Sequence, residues 1–320
     1  MEAATASEQL QTVVDEVESV VIAQEGLVET ILTAVVADGH VLLEDVPGTG
    51  KTLTAQTIAT ALNLEFNRIQ FTPDLLPSDI TGTEVFNKQA GTFEFREGPL
   101  FANVVLADEI NRAPPKTQAA LLEAMSEEQV SVGNDTYDLP EPFVVIATQN
   151  PVEQEGTFEL PEAQRDRFMV KTEMGYPDRD GEIELLTRRG NRQTSEPTAE
   201  PVIDLDTVRT LQAVPETVRT TTALDGYIVD VCRATREQDE VAAGVSPRGI
   251  QRLFEASRTR AVFAGRDYVV PDDVHSILTQ CLAHRLVLTT EASVTGTSKE
   301  RLVEAARDSV TVPSMDEIQP

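Results

Sequence analysis

VLLEDVPGTGKT, residues 41–52, is the stretch that decides the fold of this chain. A short apolar run gives way to a turn rich in glycine, and a helical pattern follows over residues 51–62. Glycines allow successive backbone N–H groups to converge on one point, and the start of a helix adds a favourable dipole there. A strand, a turn of this kind and a helix form the loop that cradles phosphate groups. We therefore predict a phosphate-binding loop at this place.

The expected ligand of this loop is ATP with Mg²⁺. Lys51 is suited to contact the β- and γ-phosphates, and the hydroxyl of Thr52 is suited to bind Mg²⁺. The strict pattern G-x-x-x-x-G-K-[ST] begins with glycine, where this chain has Asp45. A glycine-rich turn that only joins a strand to a helix is the alternative. The predicted nucleotide-binding residues are Asp45, Val46, Pro47, Gly48, Thr49, Gly50, Lys51, Thr52 and Leu53.

A second motif, VVLADEIN at residues 104–111, supplies two acidic side chains. An apolar strand that ends in Asp108 and Glu109 delivers both carboxylates to the carboxyl edge of the sheet, where ligands of open α/β folds bind. We expect Asp108 to hold Mg²⁺, through water, and Glu109 to polarise the attacking water. Two acids after an apolar strand are a weak signal alone, but their position after the phosphate loop strengthens it.

A third motif is the strand FVVIAT, residues 143–148, which is followed by Gln149, Asn150 and Pro151. An amide at the tip of a strand between the loop and the acidic pair could sense the γ-phosphate and orient the attacking water. Asparagine before proline is most often a turn former. The two motifs that precede it favour a functional role for Asn150.

Strand and helix patterns alternate over roughly residues 40–175, which predicts an α/β fold with an open, mostly parallel sheet and helices on both faces. Two helices precede this region, up to about residue 38, and two hairpins, 83–96 and 130–138, interrupt it.

The pattern changes after Tyr176 and Pro177. The polar stretch RRGNRQTSEPTAEP, residues 188–201, is typical of a linker. Beyond it only helical patterns follow, at residues 204–213, 221–237, 247–263, 271–285 and 297–309. We therefore predict a nucleotide-binding α/β domain at 1–177, a linker at 178–202 and a smaller all-helical domain at 203–320.

The charge balance is strongly acidic, with 54 Asp and Glu residues against 26 Lys and Arg residues and a formal net charge of −28. Such a surface repels nucleic acids and anionic membranes unless its cations are clustered. The acids are scattered through apolar-containing segments, and the chain has only five lysines. This composition is typical of proteins from cells that hold molar salt, where the Debye length falls to about 3 Å. We expect a halophilic protein.

Other residues favour a soluble, cytoplasmic protein without structural metal or membrane insertion. Cys232 and Cys281 are too few and too far apart for a disulfide framework and are expected in the core. His40, His275 and His284 share no metal-ligand spacing. The first residues, MEAATASEQLQ, lack the basic and apolar regions of a signal peptide, and no apolar run approaches the ~18 residues of a membrane span.

Three long strings resemble the signatures of the MoxR-type AAA+ ATPases. They are LADEINRAPPKTQAALLEAM at 106–125, ATQNPVEQEGTFELPEAQRDRF at 147–168 and VSPRGIQRL at 245–253. The resemblance implies an AAA+ P-loop domain with a smaller helical lid domain. It also implies a chaperone-like ATPase that forms a homo-oligomer, generally a hexameric ring, and acts on client proteins. Such proteins are often encoded near proteins with von Willebrand factor A domains.

The resemblance also assigns roles to single residues. It makes Lys51 and Thr52 the Walker A pair, Asp108 and Glu109 the Walker B pair, and Asn150 sensor 1. Arg167, in the sequence DRF, fits the arginine finger that reaches into the site of a neighbouring subunit, and Arg165 is a second candidate. Arg248, in the sequence SPR, matches sensor 2 on the lid. The alternative for all three arginines is surface salt bridging in an acidic chain.

Two other functions compete with an ATP-driven remodeller of proteins. A motor that acts on nucleic acid requires basic hairpins. Hairpin 83–96 holds Lys88 and Arg96 against Glu84 and Glu94, and hairpin 130–138 holds no cation, which disfavours nucleic acid as a partner. A nucleotide switch that does not hydrolyse ATP is disfavoured because Glu109 and Asn150 are both present.

Overall fold

A five-stranded parallel sheet organises the first half of the chain. The structure is a computed structural model that describes residues 1–89, 91–150, 157–158, 160–192, 197–314 and 317. In chain order, the elements of this half are α1 (Ala3–Val20), α2 (Leu27–Val36), β1 (Val41–Glu44), α3 (Lys51–Ala61), β2 (Phe66–Gln70), α4 (Pro77–Thr81), β3 (Gly82–Asn87), β4 (Thr92–Glu97), β5 (Val104–Asp108), α5 (Pro115–Glu127), β6 (Gln129–Val132), β7 (Asp135–Asp138), β8 (Val144–Gln149), α6 (Glu162–Arg165) and β9 (Val170–Thr172).

The sheet has the strand order β2-β5-β8-β1-β9, and every neighbouring pair is parallel. Strand β8 therefore lies between β1, which leads into the phosphate loop, and β5, which ends in Asp108. This is the position expected for the strand that carries Asn150. The predicted parallel sheet is confirmed.

Successive side chains of β1 pack on opposite faces of the sheet. Val41 and Leu43 belong to the cluster that α1, α2 and α3 build, whereas Leu42 belongs to the cluster under α5. All three side chains are fully buried. Strands covered on both faces consist of apolar residues without alternation, and each buried Leu contributes about 1.5–3 kcal/mol. The predicted helices on both faces are confirmed.

Both predicted hairpins are present, one formed by β3 and β4 and the other by β6 and β7. Their contact is a stacked pair, Phe95 and Tyr137, with 3.8 Å between the ring centroids. Phe86 and Phe93 also pair on the first hairpin, yet they are 50% and 67% exposed. The first hairpin thus presents aromatic side chains at the surface.

The second half of the chain is helical, as predicted. Its elements are α7 (Arg179–Asn191), α8 (Leu205–Ala213), α9 (Thr222–Ala234), β10 (Val241–Ala243), α10 (Pro247–Phe263), α11 (Pro271–Leu282), β11 (Val287–Leu288), α12 (Thr290–Val294) and α13 (Lys299–Ser309). One addition is a small antiparallel ribbon of β10 and β11, which lie far apart in sequence. Within the ranges that the structure describes, every helix is too short or too polar to span a membrane.

The segment 178–202, which we predicted as a linker, begins with helix α7. Asp178 caps this helix by accepting a hydrogen bond of 2.8 Å from the N–H of Gly181. Acids in its first turn and arginines in its last turn complement the helix dipole. None of its residues is buried, so it lacks the buried apolar face from which the other helices were predicted. Residues 193–196 of the expected linker lie outside the described ranges.

The helical domain packs directly on the first two helices of the chain. Leu10 of α1 and Leu253 of α10 are fully buried in one continuous cluster. The hydroxyl of Ser7 donates to the carbonyl of Phe263 at 2.6 Å, and Arg260 forms a 2.7 Å ion pair with Glu29. Helices α1 and α2 thus connect the sheet to the helical domain.

Candidate active site

A cavity of about 680 Å³ opens at the carboxyl edge of the sheet, where β1, β5 and β8 end. Its lining contains nine of the predicted site residues: Pro47, Gly48, Gly50, Lys51, Thr52, Leu53, Asp108, Glu109 and Asn150. Six further residues complete the lining: Arg68, Gln70, Thr72, Arg112, Thr148 and Gln149. The phosphate loop, the acidic pair and the amide therefore meet in one place, as the three motifs predicted.

The phosphate loop has the backbone that its glycines allow. Gly48 and Gly50 have φ values of +89° and +94°, which residues with a Cβ rarely adopt. Helix α3 begins at Lys51, so its unpaired N–H groups face the loop. The ammonium of Lys51 donates to the carbonyls of Asp45 and Val46, each at 2.8 Å. These contacts use two of the three N–H donors of the ammonium, and the third can point to a phosphate.

Asp45 lies under the loop and is absent from the cavity lining described above. One carboxylate oxygen accepts from the N–H of Val46 at 2.7 Å, and the other accepts from the N–H of Gly175 at 2.8 Å. The N–H of Asp45 itself donates to the carbonyl of Gln149 at 3.0 Å. Asp45 thus supports the loop and connects it with two other strand ends.

Both oxygens of Asp108 are engaged. The hydroxyl of Thr148 donates to Oδ1 at 2.6 Å, and the guanidinium of Arg68 donates to Oδ2 at 2.6 and 3.2 Å. Asp108 is only 8% exposed, so its charge is stabilised by these partners rather than by bulk water. Thr148 also accepts from the backbone N–H of Glu109 at 2.8 Å, which ties the two acidic residues to β8.

Glu109 is held by two donors across the cavity. The amide of Gln70 donates to its Oε2 at 2.7 Å, and Arg112 donates to the same oxygen at 2.9 Å. The backbone of Glu109 is left-handed, with φ of 57°, an uncommon conformation that turns the chain sharply after β5. Because both donors use the same oxygen, the other oxygen, Oε1, can accept a proton from water without the loss of either contact.

Asn150 follows the last residue of β8 and is 7% exposed in the cavity lining. Pro151, which follows it, lies outside the described ranges.

The three predicted arginines are elsewhere. Arg167 donates to the carbonyl of Leu122 and, at 2.7 Å, to the hydroxyl of Ser126, both on α5. Arg248 lines a different cavity of about 640 Å³, which Ser126 also lines. Burial and the nearby charges of Arg252 and Arg167 lower the pKa of Arg248. The structure therefore brings Arg167 and Arg248 near each other and brings neither to the cavity of Lys51.

Arg165 differs from Arg167 in its surroundings. Its Nε atom is buried and lacks a hydrogen-bond partner within the described part of the chain. Its charge also lowers the pKa of Lys299, after the larger effect of burial. Arg165 therefore lies near the like charge of Lys299 in the helical domain. Among the described residues it does not form the surface salt bridge that was the alternative to a finger.

The segment between these arginines is attached to the helical domain. Arg285, whose side chain is 1% exposed, forms an ion pair with the carboxylate of Asp166 and donates to its carbonyl at 2.8 Å. Arg285 also donates to the carbonyl of Phe168 at 2.7 Å. The position of Arg167 is thus connected to the turn that follows α11 in the helical domain.

The cysteines and histidines have structural surroundings. Cys232 and Cys281 are buried, as predicted, and burial raises the pKa of each thiol to about 12. His40 is buried between two backbone groups, the carbonyl of Met125 and the N–H of Val145. Burial lowers its pKa to about 4. His284 is buried against the carbonyl of Phe168.

The sequence reasoning missed Arg68, Gln70, Arg112 and Thr148. Arg68 and Gln70 alternate along β2, which pairs with β5 so that Gln70 lies opposite Asp108. They reach the site only because β2 lies beside β5, and the motifs did not predict the position of β2 in the sheet. Thr148 gave a usable signal, since it is a polar residue at the end of an apolar strand.

Comparisons with known proteins identify the family of the chain. Residues 40–170 match the ATPase family associated with various cellular activities (AAA), and residues 233–306 match the AAA lid domain. Chaperone MoxR1 of Mycobacterium tuberculosis is 42% identical over 318 residues, which cover 97% of this chain and 84% of that protein. YeaC of Bacillus subtilis is 45% identical over 300 residues, covering 94% and 93% of the two chains.

A solved crystal structure from Cytophaga hutchinsonii has the same fold. It is 40% identical, with a TM-score of 0.90, and the match covers 98% of this chain and 97% of that one. Fold and site together define an AAA ATPase with a helical lid domain. Its similarity to Chaperone MoxR1 over most of both chains shows that the chain belongs to the MoxR family.

Proposed function

We propose that this chain hydrolyses ATP with Mg²⁺ as one subunit of a ring, and that hydrolysis drives the remodelling or maturation of protein partners. The observation that carries the proposal is the convergence of Lys51, Asp108, Glu109 and Asn150 on one cavity at the end of a parallel sheet. A helix start, a lysine and two carboxylates in this arrangement suit phosphoryl transfer, in which positioning and charge neutralisation supply most of the catalysis.

The donor set of the cavity fits Mg²⁺, which prefers oxygen ligands and retains several waters. The carboxylate of Asp108 and the hydroxyl of Thr52 both line the cavity, and they are the residues that would hold the ion. Bound there, Mg²⁺ would neutralise charge on the phosphate oxygens. Lys51 binds the phosphates with its third N–H donor. Glu109 accepts the proton of the attacking water, and Asn150 orients that water.

The location of Arg167 and Arg248 favours a ring. Both lie away from the cavity of Lys51 in their own subunit, and Ser126 links them, as described above. Arg248 has no hydrogen bond or ion pair among the described residues, although burial lowers its pKa. We infer that both arginines complete the site of a neighbouring subunit. An arginine supplied in trans accelerates phosphoryl transfer by about 10³–10⁵.

This arrangement changes how the lid domain would respond to nucleotide. Arg248 lines a different cavity from Lys51, which supports the inference that it reads the γ-phosphate of the neighbouring subunit. The ion pair of Asp166 with Arg285 fixes the Arg167 segment to the same lid domain. Hydrolysis in one subunit would therefore move the lid domain and the finger of the next subunit together.

Protein clients suit the surface better than nucleic acids do. The first hairpin exposes Val85, Phe86 and Phe93, and the net charge is −28. A curated relative is named a chaperone. We place the protein in the cytoplasm, as a hexamer, with a von Willebrand factor A domain protein as a possible partner. A single-stranded DNA titration at several salt concentrations tests the alternative, since tight binding with a steep salt slope contradicts a protein client.

Complementation between two inactive variants tests hydrolysis in a ring. Glu109→Gln lacks the water-activating carboxylate but keeps Arg167, and Arg167→Ala lacks the finger but keeps Glu109. A mixture of the two should release phosphate from ATP, because some sites then combine an intact Glu109 with an intact neighbouring Arg167. The matched control mixes Glu109→Gln with a double variant that carries both Lys51→Ala and Arg167→Ala. This mixture should remain inactive, because the subunits with an intact Glu109 then lack the lysine that binds the phosphates. A mixture no more active than its components contradicts a site shared between subunits.

A further inference from the structure

Arg68 lies against the carboxylate that is expected to hold the metal. It is in the middle of β2, beside β5, and its guanidinium donates to Oδ2 of Asp108 at 2.6 and 3.2 Å. The side chain of Asp108 is 12% exposed and that of Arg68 is 47% exposed. The anion is therefore fixed and shielded, whereas the cation is accessible to solvent and can move.

Both carboxylate oxygens of Asp108 accept hydrogen bonds. Thr148 donates to Oδ1 at 2.6 Å while Arg68 occupies Oδ2. Mg²⁺, whether bound directly or through one of its waters, needs one of these oxygens. A hydrogen bond between two charged groups is about twice as strong as a neutral one, and a guanidinium at Oδ2 also repels an approaching dication. Arg68 and the metal therefore compete for the carboxylate of Asp108.

Nucleotide would change the balance of this competition. Arg68 lines the same cavity as Lys51 and Thr52, so phosphate oxygens bound at the loop would offer its guanidinium another anionic partner. Guanidinium groups bind phosphate as readily as carboxylate. The same phosphates would supply additional ligands for the metal. Both effects favour the exchange of Arg68 for the metal at Asp108 only when nucleotide is present.

We propose that Arg68 is a positioning residue that keeps Asp108 paired until nucleotide arrives, so that the divalent cation binds with the nucleotide and not before it. The proposal rests on the proposed function of the cavity. It assigns to Arg68 a role that is distinct from phosphate binding by Lys51. The release of Arg68 also removes a 2.8 Å contact with Gln70, whose amide holds Glu109.

Mn²⁺ binding tests this role without turnover. It is measured as the loss of the electron paramagnetic resonance signal of the free ion. The full chain is titrated in molar KCl, where screening within about 3 Å suppresses diffuse binding to the acidic surface. Without nucleotide, Arg68→Ala should bind one Mn²⁺ per chain about tenfold more tightly than the unaltered protein. A non-hydrolysable ATP analogue chelates Mn²⁺ itself, so in this arm ultrafiltration separates the protein-bound metal, and the unaltered protein should retain Mn²⁺ as well. Arg68→Lys retains a cation and should behave like the unaltered protein.

Two variants serve as controls. Arg219→Ala removes one arginine of similar exposure, 55%, from a 2.8 Å ion pair with Asp267, and it changes the net charge equally. It should not bind Mn²⁺ more tightly than the unaltered protein. Combining Arg68→Ala with Asp108→Asn should abolish the gain, which locates the bound ion at Asp108.

The outcomes separate this inference from the proposed function. Equal Mn²⁺ affinity of Arg68→Ala and Arg219→Ala without nucleotide overturns the role of Arg68. So does tight Mn²⁺ binding by the unaltered protein alone. Failure of the unaltered protein to bind Mn²⁺ even with the ATP analogue overturns the proposed function itself. Far-ultraviolet circular dichroism verifies the fold of each variant. If Arg68→Ala misfolds, Arg68→Gln, which preserves most of the side-chain stem, replaces it in the same comparison.

Discussion

The carboxylate of Asp45 accepts a hydrogen bond of 2.8 Å from the backbone N–H of Gly175, across 130 residues of sequence. Asp45 begins the phosphate loop, and Gly175 follows β9, close to where the chain leaves the sheet. Gly175 has φ of +63°, and a Cβ at this position would lie 2.0 Å from Nε2 of Gln24. The residue that departs from the Walker pattern thus joins the loop to a tightly packed exit from the sheet.

Replacing Asp45 with glycine restores the Walker pattern in sequence but should weaken the protein. The N–H groups of Val46 and Gly175 would lose their carboxylate acceptor. A buried donor without a partner costs about 1–3 kcal/mol. We expect Asp45→Gly to unfold at a lower temperature and to bind ATP less tightly, as measured by thermal melts with and without nucleotide.

Asp45→Asn is the matched control for this prediction. Its amide retains one acceptor oxygen, so its melting temperature should lie between those of Asp45→Gly and the unaltered protein. A glycine variant as stable as the unaltered protein would show that the contact with Gly175 contributes nothing.

Glu109→Gln should bind ATP normally and hydrolyse it far more slowly. The substitution removes the group that accepts a proton but leaves Asp108 and Lys51 in place. Loss of a general base lowers rates by about 10²–10⁴. Phosphate release and equilibrium binding of a fluorescent ATP analogue measure the two effects separately. Lys51→Ala is the contrasting variant, because it should lose nucleotide binding. Turnover by Glu109→Gln at the normal rate is incompatible with the assigned role.

The motifs predicted the centre of the site because each needs only local sequence. A strand, a glycine turn and Lys51 define the loop, and an apolar strand with Asp108 at its end defines the acidic edge. Arg68 and Gln70 could not be found in this way, since they act through the pairing of β2 with β5. The carboxylate of Asp45 likewise acts on Gly175, far along the chain.

Two other features that the motifs do not report, helix α7 and the surroundings of Arg248, have a related cause. Helix α7 buries no side chain, so its sequence has the composition of a linker. The place of Arg248 is set by how the helical domain packs on α1 and α2, and no local pattern reports that packing. Interactions between distant elements, rather than the elements themselves, were beyond prediction from this sequence.

Arg167→Ala should retain ATP binding and lose hydrolysis that depends on assembly. If Arg167 reaches the neighbouring site, its loss removes about 10³-fold or more of the rate while the cavity of Lys51 remains intact. The dependence of turnover on protein concentration measures the effect. Arg165→Ala offers a matched control two residues away. Its removal relieves repulsion with Lys299 and should leave turnover unchanged. The reverse result, with loss of activity only in Arg165→Ala, would identify Arg165 as the finger.

His40 should make the protein sensitive to mild acid. Burial lowers its pKa to about 4 from a value of 6.5, so the unfolded chain binds the proton more tightly than the folded chain does. Protonation therefore favours unfolding, and this contribution to stability is lost as the pH falls from about 6.5 to 4. The difference in pKa corresponds to about 3 kcal/mol.

Urea unfolding at a series of pH values tests the contribution of His40. His40→Gln retains an amide that can donate to the carbonyl of Met125 but does not titrate. Its free energy of unfolding should change less between pH 6.5 and 4 than that of the unaltered protein. Titration of the many carboxylates affects both proteins alike, so the difference between the curves isolates His40. Parallel curves would contradict the assignment.

Low salt should destabilise the protein or dissociate its assembly. The chain carries a net charge of −28, and carboxylates close together on the surface repel one another when few counter-ions screen them. At 1 M salt the Debye length is about 3 Å, compared with about 30 Å at 0.01 M. We therefore expect the melting temperature to rise with KCl concentration over this range. Sucrose of equal osmolality is the control for water activity. Because it does not screen charge, it should not raise the melting temperature as KCl does. A melting temperature independent of KCl would refute the halophilic interpretation.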